Sequence, residues 1–275
     1  MFKLALNAGH GLYTAGKRCT KALDPNETRE WWLNDRIADG MEKILAGYDG
    51  IEILRIDDTT GKKDISLTSR TATANKWGAD FYLSIHHNAA GRIFDGGGIV
   101  AFVHTSPSDE SVEWQKAFYE AVIDATGLKG NRATPLAKKN LAELRLTKMP
   151  AVLMECGFMD STVDVPIILS EDYADKCAKA FAGVIIERAG LKKKAAVAVT
   201  ATRYRVQVGS FAIKAYANAM LNKLVKKGFT GYVKTVTVDG KVRHRVQVGA
   251  FSNMSYATAM LSKLKAAGFN GYITN

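Results

Sequence analysis

The chain has 275 residues, 47% hydrophobic and 24% charged, a globular balance that excludes long disordered stretches and leaves room for one sizeable domain plus a smaller one. Its net charge of +11 is unevenly held: residues 191–275 carry 15 Lys/Arg against one acid, Asp239, and residues 1–190 carry 23 against 26, so a near-neutral body bears a basic tail suited to an anionic partner. No run approaches the ~18–20 apolar residues needed to span a bilayer, and residues 1–6 are too short for a secretory h-region, so synthesis in the cytoplasm without a signal peptide and without membrane insertion is expected.

In chain order, residues 2–7 read as a strand that runs into the loop Gly9-His10-Gly11. Residues 27–46 read as a helix on which Leu33, Ile37, Met41 and Ile44 continue the stripe that begins at Glu30. Glu27 shares roughly that face, but it falls in the first turn, where a carboxylate has a simple dipole role, so Glu30 is favoured. A strand at 51–56, a helix at 66–77 and a strand at 80–86 follow. His86 ends that last strand, and His87 points to the opposite face. A strand at 98–103, a helix at 109–126, a strand at 151–155 ending on Glu155 and a helix at 171–189 complete the region. The alternation predicts an α/β domain over 1–190, a mostly parallel twisted sheet flanked by helices. Cys19, Cys156 and Cys177 have no metal-like or disulfide-like spacing and read as reduced thiols.

His10, His86 and Glu155 all follow strand ends, where open α/β sheets form their ligand crevice. A carboxylate facing a core, as Glu30 does, costs several kcal/mol unless a cation meets it. Zinc bound by His10, Glu30 and His86 answers that need. Two imidazoles and one carboxylate with an open position are the ligands of a catalytic zinc hydrolase, and Glu155 stands ready to carry the proton.

Residues 191–202 read as a linker. Beyond it, residues 204–233 realign on 244–273 with 17 of 30 positions identical. Each repeat has an Arg-Val-Gln-Val-Gly strand, a helix closed by Gly228 or Gly268 and a short strand, with Asp239-Gly240 as the hairpin between repeats. Residues 203–275 are therefore expected to form a small α+β domain of order βαββαβ, one sheet backed by two helices.

Asn7-Ala8-Gly9-His10-Gly11, Arg29-Glu30 with Asn34, Ser84-Ile85-His86-His87-Asn88-Ala89 and Met154-Glu155-Cys156-Gly157-Phe158 resemble, in order, the motifs of zinc-dependent N-acetylmuramoyl-L-alanine amidases. That family includes bacterial cell-wall amidases and phage endolysins. Leu67-x-x-Arg70-x-x-x-Ala74-Asn75 and Asn131-Arg132 also fit, so the resemblance spans about residues 2–188. The sequence departs from the family where Asn7-Ala8 replaces Asp-Pro. The resemblance implies cleavage of the bond between N-acetylmuramic acid and L-alanine, with Zn2+ on His10, Glu30 and His86 and with Glu155 as acid/base. It also makes Asn88, Arg132 and Arg145 candidates for gripping substrate. The repeats resemble the SPOR domain, which implies peptidoglycan rather than nucleic acid as partner, with Tyr204, Gln207, Gln247 and Tyr256 as candidate wall contacts and Phe211 and Phe251 in the core. A phage endolysin, reaching the wall after lysis or through a holin-like pore, and a sporulation autolysin both fit.

Overall fold

Strands and helices follow one another as β1 (Phe2–Ala8), α1 (Glu30–Leu45), β2 (Tyr48–Asp49), β3 (Ile51–Arg55), α2 (Leu67–Trp77), β4 (Phe81–Asn88), β5 (Ile99–Val103), α3 (Asp109–Thr126), β6 (Leu136–Lys138), α4 (Ala142–Arg145), β7 (Ala151–Phe158), α5 (Val165–Ile168), α6 (Glu171–Arg188) and β8 (Lys192–Lys193). The computed structural model describes residues 1–128, 130, 135–194, 204–251 and 254–274. Two compact units, Met1–Ala195 and Ala196–Asn275, make up the chain.

In the first unit the main sheet has the order β3-β1-β4-β7-β5-β6. Every pairing is parallel except β5 with β7, so β1, β4 and β7 end on the same edge. Period-two alternation sorts their side chains. Leu4, Leu6, Phe81, Leu83 and Ile85 enter the larger core with Leu33, Ile37 and Met41 of α1, Phe118 of α3 and Phe181 of α6. Ala5, Tyr82 and Leu153 face the other way, under Ala74 of α2 and Leu144 of α4. Asn7, Ser84 and His86 lie on this second side, where the smaller core gives way to polar groups.

Two expectations change. Helix α1 begins at Glu30, not at residue 27: Glu27 has a left-handed φ of +48° and pairs with Arg18 at 2.9 Å, so it has no place in the first helical turn. Residues 191–194 belong to the first unit rather than to a tether. Leu191 packs on the larger core, and Lys192 and Lys193 pair with Asp49 and Tyr48. Residues 195–203 lie outside the described residues.

The second unit contains β9 (Tyr204–Phe211), α7 (Lys214–Lys226), β10 (Tyr232–Val238), β11 (Lys241–Phe251), α8 (Met254–Ala266) and β12 (Tyr272–Thr274). Its antiparallel sheet has the order β10-β11-β9-β12. Val206, Val208, Val246 and Val248 pack under Ala217 and Leu224 of α7 and Ala257 and Leu264 of α8. Asp239 and Gly240 both have positive φ, +50° and +72°, the tight hairpin their residue types favour.

Candidate metal centre and active site

His10 leaves β1 through Gly9, whose N–H donates to the Ile85 carbonyl at 2.9 Å. A Cβ on Gly9 would stand 2.1 Å from Cε1 of His86, so only glycine lets the loop pass this close to the ring. His10 adopts φ +67°, a conformation unfavourable for a side-chain-bearing residue. Buried Arg70 holds it there: Nη2 donates to the His10 carbonyl at 2.9 Å, Nη1 to the Ala8 carbonyl at 3.0 Å and Nε to the Ile65 carbonyl at 2.8 Å. Replacing Arg70 with Met strands those carbonyls. Urea unfolding is expected to register a loss of about 3–5 kcal/mol, and a loss under 1 kcal/mol would contradict this strapping role.

Glu30, the first residue of α1, is 1% exposed. Its Oε1 lies 3.3 Å from Nε2 of His10 and 3.1 Å from Nδ1 of His86, and it accepts the His87 N–H at 3.3 Å. Lys17 Nζ stands 3.5 Å from Oε2. Burial works upward on the Glu30 carboxyl, but the bonds from His10 and His86 outweigh it and hold the group well below the usual carboxylate range. Burial alone would lower His86. The carboxylates of Glu143 and Glu30 on its two ring nitrogens reverse that and lift it to about 10 in the metal-free protein. One donor atom each from His10, Glu30 and His86 falls within 4.8 Å of the others. Donors around a tetrahedral zinc with ~2.0–2.1 Å bonds stand roughly 3.3–3.4 Å apart, so the two separations from Glu30 fit such an ion.

His87 points into the α1 side of the sheet, as alternation requires, with Nδ1 2.8 Å from Oδ1 of Asn34. Asn34 Nδ2 donates to the Gly9 carbonyl, so its Oδ1 accepts and His87 Nδ1 carries the proton, while buried Nε2 has no partner among the described residues. Burial depresses the ring to about 3 from 6.5. A depressed histidine stabilises the fold above its unfolded pKa, and that stability is lost as pH falls from 6.5 toward 3. The loss is about 5 kcal/mol. In metal-free protein, His87→Leu should be less acid-sensitive than the parent over that window. A stability difference between the two that stays constant with pH would contradict the assignment.

Glu155 is the register partner of His86. Burial pushes its carboxyl up to about 7, against the pull of His86, and Oε2 is shielded without a partner among the described residues. It lines a cavity of about 420 Å³ with Asn88, Arg92, Phe94 and Lys139. A second cavity of about 320 Å³ contains His10, His86, Arg70, Leu67 and Glu143. Of the three residues expected to grip substrate, Asn88 lies beside Glu155. Arg145 is not there: it bonds Asn140 at 2.7 Å and lines a separate cavity with His104 and Lys148, because the one-turn helix α4 turns Glu143 rather than Arg145 toward His86. Arg132 lies outside the described residues.

Residues 4–187 match the family described as N-acetylmuramoyl-L-alanine amidase, Amidase_3. The chain belongs to this family. Residues 200–275 match the SPOR domain, so this is an amidase with a C-terminal SPOR domain. Among curated relatives, a sporulation-specific N-acetylmuramoyl-L-alanine amidase of Bacillus subtilis (strain 168) is 31% identical over 234 residues, 85% of this chain and 84% of its own. An endolysin of Bacillus phage SPP1 is 28% identical over 69% of this chain and 66% of its own. The solved N-acetylmuramoyl-L-alanine amidase of Clostridium difficile 630 superposes with a TM-score of 0.61 at 25% identity, covering 68% of this amidase and 95% of that chain.

The expected wall contacts of the amidase's SPOR domain do not form one surface. Tyr204 packs against the core with Phe211 and Phe251, and Tyr256 is exposed on α8. Gln207 and Gln247 are register partners at the middle of a row running Tyr232, Gln247, Gln207, Tyr272 across all four strands. Cross-strand partners share a face, here the one opposite the helices. Tyr272 OH accepts from Gln207 Nε2 at 2.6 Å, and Oε1 of both glutamines is buried with no partner among the described residues. Sequence reading missed the two tyrosines; their repetition at an offset of 40 was the available signal.

Proposed function

We propose that this amidase hydrolyses the amide between the lactyl group of N-acetylmuramic acid and L-alanine, using Zn2+ held by His10, Glu30 and His86 and a proton carried by Glu155. The observation that carries the reading is Glu30, a buried carboxylate with two imidazole nitrogens converging on one of its oxygens. Bound there, zinc supplies Lewis-acid polarisation of the scissile carbonyl and an acidified water.

The remaining work falls to this chain's own side chains. Glu155 Oε2 takes a proton from the attacking water and returns it to the leaving amine of L-alanine; burial raises its carboxyl in the metal-free chain, which favours a group that holds the proton between the two transfers. Asn88 offers amide hydrogen-bonding groups beside Glu155, and Lys139 and Arg92 supply positive charge to the same cavity, where carboxylates of a stem peptide find partners. Digestion of purified peptidoglycan should release peptides with a free N-terminal L-alanine and leave the glycan acetylated. Released acetate without new peptide amines would instead identify a deacetylase.

Wall attachment is assigned to the SPOR domain through the Tyr232–Gln247–Gln207–Tyr272 row. The exposed rings of Tyr232 and Tyr272 stack on sugar faces, and the buried Gln207 between the outer strands holds Tyr272 through its Nε2–H. Ending the chain after Lys194 preserves the pairing of Lys192 and Lys193 with β2 and should leave a folded, catalytically competent core with weaker sedimentation on isolated walls. Tyr232→Ala with Tyr272→Ala should reproduce the sedimentation defect at unchanged thermal stability. Full wall binding by either variant would remove this assignment.

A further inference from the structure

We infer that Glu143 is a positioning residue of the metal centre, holding the ring of His86 from the side opposite Glu30. Glu143 is 4% exposed, on the one-turn helix α4 above the sheet. Its Oε1 is fixed by Tyr82 OH at 2.6 Å and Asn7 Nδ2 at 2.7 Å, with Ser84 Oγ at 3.3 Å. Oε2, which Ser84 Oγ also reaches at 3.4 Å, faces Nε2 of His86 at 3.4 Å. Among the described residues buried Nε2 makes no formed hydrogen bond, and Glu143 Oε2 is the acceptor set beside it. The other ring nitrogen, Nδ1, faces Glu30. A carboxylate on Nε2 places the ring proton there and leaves the Nδ1 lone pair for a metal, fixing both tautomer and ring orientation.

The network reaches the second histidine as well. Asn7 donates to Glu143 and to Ser84, and its Oδ1 accepts from Arg70, the side chain that straps the His10 loop. Asn7 is a residue at which this chain departs from the resembled motif, where Asp is usual. An Asp there would oppose Glu143 at hydrogen-bond distance, and two carboxylates so close repel. Asn at 7 and Glu at 143 are therefore a matched pair: the amide donates and the carboxylate stands on His86.

This inference rests on the zinc reading, and zinc affinity measured by chelator competition, together with thermal stability without metal, tests it. Glu143→Gln conserves shape and is expected to stay folded while binding zinc about 10–100-fold more weakly. Asn7→Asp alone should lower both stability and affinity. Asn7→Asp with Glu143→Gln restores a donor–acceptor pair and is expected to recover stability but not zinc affinity, because no carboxylate faces His86. Parental affinity in Glu143→Gln, or in the double variant, would overturn the inference while leaving the zinc site standing. A parent chain that takes up no zinc would overturn the zinc reading and this inference with it.

Discussion

Glu155→Gln is expected to lower kcat on isolated walls by about 10²–10⁴-fold while zinc content stays at that of the parent. The amide matches the carboxyl in shape, so the strand end and the neighbouring cavity should persist, yet it neither accepts a proton from water nor donates one to the leaving amine. Glu155 stands outside the cluster formed by His10, Glu30 and His86, which is why metal should remain. Burial already disfavours its ionised form, so the neutral amide should not destabilise the metal-free fold. Dye release from labelled walls measures the first quantity and elemental analysis the second. A variant that keeps more than half its activity, or that loses its zinc, would remove Glu155 from the role.

His86→Ala should abolish both activity and metal binding. The ring is buried between Glu30 and Glu143, and its loss removes one of three donors and leaves Glu30 with His10 alone among imidazoles. The clearest readout is thermal. Zinc at about 1,000 times its Kd should stabilise the parent by about 4 kcal/mol, and it should leave the melting curve of the variant where it was. Zinc-dependent stabilisation of His86→Ala would mean that the metal sits elsewhere.

Much of this was legible in the sequence because the carriers are regular. The long strands β1, β4 and β7 have seven or eight residues each, mostly apolar until the polar groups near their carboxyl ends, and their shared carboxyl-end edge followed from the parallel order. The Glu30 stripe on α1 was legible for the same reason, and so was the repeat of the second unit. The elements that escaped are short. A three-residue β6 and the one-turn helices α4 and α5 offer no period to count. Glu143 escaped with α4: in Leu141-Ala142-Glu143-Leu144-Arg145 it reads as an ordinary surface acid, and Arg145 drew attention as the substrate-binding type. Only the tertiary placement of that turn over Asn7 and Ser84 reveals which of the two faces the histidines. The start of α1 was misplaced by three residues because Glu27 takes a left-handed φ, a backbone choice that hydrophobic spacing does not report.

Diffraction at the zinc absorption edge from crystals grown with Zn2+ tests the central claim most directly. The account predicts an anomalous peak within about 2.0–2.2 Å of Nε2 of His10, Nδ1 of His86 and a carboxylate oxygen of Glu30. No density between those three side chains, or zinc bound by other residues, would contradict it.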